Sequence, residues 1–174
     1  MLMRNIVALL LAVFATGTIA ASDPPPVEFL AGCEGNWSGS LRYRDYSKPE
    51  TFVTLPTTLS ATLVSPDEIA FHYVYDEGRG RVVHGYERIK IDRAAKQMRW
   101  AGADPAESYT GEIVSITESD GGAEIVATRE TTDDGKKKFI RCRFSLSAEV
   151  LVMAKEDGAD AGSLSFRNEY RFSR

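Results

Sequence analysis

Few residues of this chain have the types and spacing that chemistry requires. There are two histidines, His72 and His84, on either side of a Glu-Gly-Arg-Gly turn at 77–80. A hairpin there would put them on adjacent strands, and a three-residue loop would set them face to face, because antiparallel pairing opposes residues of constant index sum. Two imidazoles without a carboxylate or thiolate are an incomplete metal set. The alternation of Phe71, Tyr73 and Tyr75 also places His72 on the opposite, outer face. No metal site is expected.

Two charges fall on sides that the same alternation reads as inward. Glu87 shares its side with Ile89 and Ile91, and Arg129 shares its side with Ile125 and Ala127. A buried charge is costly unless it is paired. Either these two meet, or one meets a ligand, or both are solvated at a rim. The aromatic residues on inward sides are Tyr43, Phe71, Tyr73, Tyr75, Trp100, Phe166 and Tyr170. They line a ligand pocket or fill a narrow interior. There is no Gly-x-Ser-x-Gly, no phosphate loop and no His-Glu-x-x-His, and the Asp-Asp-Gly turn at 133–135 lacks a calcium loop's downstream glutamate. No catalytic residue and no cofactor is predicted.

The elements that must position these residues are strands. After the prolines at 24–26 no helical period is sustained, and alternating runs rich in Val, Ile, Thr, Phe and Tyr recur between turn residues. Ten strands are predicted, at 36–46, 51–64, 68–76, 81–92, 96–101, 107–118, 123–132, 136–147, 150–155 and 163–173. The links between them are too short for a parallel return. An all-β, antiparallel up-and-down meander of this length should close into a barrel, which leaves no exposed edge; an open sandwich is the other arrangement. The last strand would place Leu164, Phe166, Asn168, Tyr170 and Phe172 on one face, and the eighth would turn Cys142 inward.

Met1–Ala21 has one basic residue, a short apolar run and a small-residue exit, which together describe a cleaved signal peptide. Residues 22–34 then form a linker and barrel plug, and 35–174 the barrel domain. The predicted address is periplasmic or extracellular, without stable membrane insertion. "LAGC" at 30–33 matches a lipidation motif, but Cys33 lies past Asp23, three prolines and Glu28, beyond the apolar run. Two cysteines in an exported chain usually pair, so Cys33 and Cys142 are expected to form a disulfide. A loop of about 100 residues closed in this way is worth roughly 4.7 kcal/mol in the chain-entropy account. The net charge of −4 opposes nucleic-acid binding.

Gly35-Asn36-Trp37 opens the first strand behind an apolar plug, and "FSLSAEVLVMAKEDGADAGSLSFRNEYRF" closes the chain. In these features the chain resembles the lipocalin-like barrels of the calycin superfamily. The ten strands and the short link at 47–50 are closest to the lid-less nitrobindin-like and fatty-acid-binding-like branch. The resemblance implies a small apolar or amphipathic ligand inside the barrel, with Trp37 as a structural floor residue. It does not extend to haem, for which that branch uses a C-terminal histidine, because no histidine follows His84. It does not extend to a last-strand Arg-x-Tyr pair either, because Asn168 stands there before Tyr170. The expected function is an exported binding protein with ligand contacts from the inward aromatics, Glu87 and Arg129. An envelope protein acting through its outer surface around a solid core is the alternative, and a barrel isomerase or hydrolase is a third.

Overall fold

The computed structural model describes residues 26–45, 47–48, 50–104, 108–119, 122–133 and 135–174. Residues 1–25, which hold the predicted signal peptide and the start of the predicted linker, lie outside the described residues. The described residues begin with a short helix, α1 (Pro26–Gly32), followed by β1 (Gly35–Arg44), β2 (Phe52–Ser65), β3 (Glu68–Gly78), β4 (Arg81–Asp92) and β5 (Gln97–Gly102). The chain continues through β6 (Tyr109–Ser119), β7 (Gly122–Asp133), β8 (Lys136–Ser147), β9 (Val150–Gly158) and β10 (Ser165–Ser173). Each strand pairs antiparallel with its sequence neighbours, and β1 pairs with β10, so the sheet is a closed barrel. The alternation that predicts the strands is the alternation that fills the barrel: on β3 the inward Ile69, Phe71 and Tyr73 are buried, and Ala70, His72 and Val74 between them are not.

One end of the barrel is plugged. Pro26 opens α1, where its missing N–H costs nothing and its φ is already helical. Phe29 and Leu30 of the helix and Cys33 after it are buried in the core, with Phe29 edge-on to Phe144 of β8 at 4.8 Å. Gly35, at φ 120°, turns the chain into β1 through a conformation other residues rarely adopt. Trp37 then sits on this floor, and its Nε1 donates to the Cys33 carbonyl at 2.9 Å. The C-terminal Arg174 closes the arrangement from outside. Its guanidinium lies 4.1 Å from the Trp37 ring centre and donates to the carbonyls of Gly32 at 2.6 Å and Glu34 at 3.1 Å.

Three expectations change. Cys33 and Cys142 are not bonded; both are buried free thiols. They occupy different levels of the core. Phe144, two residues beyond Cys142 on the same inner face, is the residue that meets the plug, whereas Cys142 lies between Ala127 and Lys155 in register. The Cys33 thiol instead donates to the Phe29 carbonyl at 3.3 Å. Phe166 does not face the interior. A bulge between Phe166 and Asn168 shifts the register of β10, and Phe166 packs on the outer face against Phe52 at 5.3 Å and Arg42 at 5.1 Å. The histidines do not face each other directly: His72 opposes Tyr86 and His84 opposes Val74. Their rings still meet diagonally on the outer face, with His72 Nε2 and His84 Nδ1 2.9 Å apart.

The cysteine arrangement predicts a thiol count. Protein unfolded without reductant should titrate two thiols, and native protein should resist alkylation at both. Burial pushes the Cys33 pKa up to about 12, against a smaller pull from Arg174. Its labelling in the native state should therefore stay slow and keep rising about tenfold per pH unit through about pH 10, without levelling off near the ordinary thiol pKa, because only the thiolate reacts. Fewer than two thiols in the unfolded chain would restore the bridge.

Candidate functional site

Toward the end opposite the plug, the interior is not filled. A cavity of about 350 Å³ is lined by Glu87, Trp100, Gly102, Tyr109, Arg129, Ile140, Lys155 and Arg167. The residues come from β4 to β10, and period-two alternation aims most of them inward. Glu87 opposes the buried Phe71, Tyr109 opposes Trp100, and Arg129 opposes Ile140. Arg167 enters by a different route. The β10 bulge that turns Phe166 out places Arg167 against the inner face, with Nη1 3.8 Å from the carboxylate of Asp157.

The cavity is a layer of cations on aromatic rings. The Trp100 and Tyr109 rings stack at 5.6 Å. Lys155 Nζ stands 5.3 Å from each ring centre and 4.0 Å from Glu87 Oε1. The Arg129 guanidinium lies 4.6 Å from the Tyr109 ring centre, a cation–π distance. One of its terminal nitrogens donates to Thr131 Oγ1 at 2.9 Å, while its buried Nε has no hydrogen-bond partner. Glu87 and Arg129 therefore do not pair; Glu87 is taken by Lys155 and by the Tyr73 hydroxyl at 3.2 Å. Burial, reinforced by Cys142 and Glu87, raises the Tyr109 pKa far above the ordinary phenol value, so its hydroxyl stays neutral.

Beside the cavity, Tyr73, Tyr75 and Tyr170 form an aromatic wall. Tyr73 and Tyr170 stack at 4.9 Å, and the Tyr75 and Tyr170 hydroxyls are 2.9 Å apart. Burial pushes the Tyr75 phenol up to about 12. Along β4, the six residues of β5 reach only Glu87–Asp92. Beyond that ladder a second cavity, of about 250 Å³, opens next to Tyr75, Gly85 and Glu87.

Of the sequence-predicted residues, Glu87, Trp100 and Arg129 line the larger cavity, and Tyr73, Tyr75 and Tyr170 flank it. Tyr43 lies on the inner face of β1 across from Val53 and Asn168. Phe71 is fully packed below, 6.0 Å from Phe144, and Phe166 is outside. Sequence reasoning missed Tyr109, Lys155 and Arg167. The first two were available, since Leu151, Met153 and Lys155 alternate, as do Tyr109, Gly111 and Ile113. Arg167 was not, because a bulge leaves no mark on the alternation around it.

The molecule is thus a closed ten-stranded antiparallel barrel, plugged at one end, with an internal cavity of cations and aromatic rings. No protein family matches the chain, and no curated protein does. Among solved structures it is similar to that of Rv2717c from M. tuberculosis, with a TM-score of 0.61 and 10% identity, over 87% of this chain and 98% of that one. At that identity the likeness establishes the fold alone.

Proposed function

We propose that the protein binds a small amphipathic molecule in the barrel cavity. The anionic group meets Arg129, and the apolar body lies against Trp100, Tyr109 and Ile140. The observation that carries this reading is Arg129 itself, a cation aimed into a cavity with a buried Nε that meets no acceptor. A buried donor left unmade costs about 1–3 kcal/mol, and an anionic ligand would remove that cost. A cavity near the lower end of the roughly 300–1,000 Å³ range of small-molecule sites agrees with it. Kinship with the calycins belongs to the same proposal, supported by the Gly35-Asn36-Trp37 opening and by the place of Trp37 on the barrel floor. So does export, which rests on Met1–Ala21; a mature chain that retains this segment would refute it.

The test is calorimetric titration with amphipathic anions of two shapes, 2-naphthoate and dodecanoate, against wild type and Arg129→Met. Wild type should bind at least one of them. The variant should bind roughly 10- to 100-fold more weakly, the worth of a charge-assisted hydrogen bond. It should melt at the same temperature or higher, because an unpaired inward charge is relieved. Absence of binding to either anion by wild type would defeat the reading.

A further inference from the structure

Resting on that reading, we infer that the ligand is a compact aromatic monocarboxylate and not a long-chain acyl acid. The first argument is charge. Arg129, Lys155 and Arg167 stand at the cavity with Glu87 and the nearly buried Asp157. Lys155 lies 4.0 Å from Glu87 and Arg167 lies 3.8 Å from Asp157, which is also 3.6 Å from Lys138. Arg129 forms no ion pair among the described residues. One negative charge would give Arg129 a counterion.

The second argument is the form of the free donor. One face of the Arg129 guanidinium is against Tyr109 and one terminal nitrogen is held by Thr131. Nε is buried without an acceptor and Nη1 makes no hydrogen bond among the described residues, and a guanidinium with unused N–H groups takes a carboxylate by charge-assisted hydrogen bonds.

The third argument is what surrounds the body of the ligand. Methylenes laid against Lys155 and Arg167 would strip water from two cations and return nothing. A π face returns cation–π attraction to the same groups, as Trp100 and Tyr109 already do for Lys155. Ile140 is the single aliphatic side chain on the wall.

The experiment compares 2-naphthoate, its neutral isostere 2-naphthamide, and dodecanoate by calorimetry on wild-type protein. The expected result is naphthoate binding at least tenfold tighter than either of the others. Lys155→Met should weaken naphthoate several-fold and leave dodecanoate unchanged, with the melting temperature of the variant as the folding control. Dodecanoate binding as tightly as naphthoate would overturn this inference while sparing the cavity reading. Amide and acid binding equally would overturn it on the charge argument. Binding of none of the three would bring down the inference and the proposed function together.

Discussion

Replacing Trp37 with alanine should lower the free energy of unfolding by about 3–5 kcal/mol, the range for large-to-small changes at a packed core aromatic. Trp37 is 2% exposed and joins three parts of the chain at the barrel floor. Its indole N–H holds the Cys33 carbonyl at the end of the plug, its ring carries the Arg174 guanidinium, and its strand pairs with both β2 and β10. Loss of the ring therefore empties the floor and releases the C-terminal clamp together. Trp37→Phe should cost less, since it keeps much of the packing and gives up the indole donor, worth about 1 kcal/mol. Urea unfolding followed by circular dichroism reads both changes. A cost under about 1 kcal/mol for the alanine variant would mean that the plug is not part of the cooperative unit.

Gly39→Ala should be nearly as damaging, for the opposite reason. At this position a Cβ would lie 2.0 Å from the Arg171 carbonyl oxygen and 2.8 Å from the Phe172 Cα. Those atoms are backbone of β10, so no side chain can swing aside. The strands would have to part at the seam that closes the barrel, where β1 meets β10 from Ser38↔Ser173 to Tyr43↔Asn168. Overpacking of this kind costs about 1–3 kcal/mol and more when backbone must move. The expected loss is about 3 kcal/mol, with hydrogen exchange accelerated in β1 and β10 first. Gly35→Ala is the comparison. Its φ of 120° is unfavourable to a side chain, but a Cβ there meets nothing within 4 Å. Its penalty should be the backbone strain alone, about 1–3 kcal/mol. Uniform exchange in Gly39→Ala, without an early β1–β10 signal, would refute the seam argument.

What the sequence by itself determined is the set of strands and the facing of residues along each regular strand. Both are local properties. A strand alternates with period two wherever the ladder is unbroken, and so Glu87, Arg129 and Trp100 could be placed inside, and His72 outside, from neighbours two positions away. The short links then left antiparallel closure as the economical arrangement. What only the tertiary structure decided depends on residues far apart in the chain. Alternation turns Cys142 inward and the apolar plug carries Cys33 to the same side, but neither says at what height, and a difference in level separates them. Alternation says that Glu87 and Arg129 face inward, but not that Lys155 from β9 reaches Glu87 first and leaves Arg129 to Tyr109. A single bulge in β10 exchanges Phe166 for Arg167 at the cavity, because one extra residue reverses the facing on its far side while the residue types stay the same. The cavity itself is decided last. Its space is what remains after ten inner faces have met, a sum over side-chain volumes and strand registers that no one segment contains.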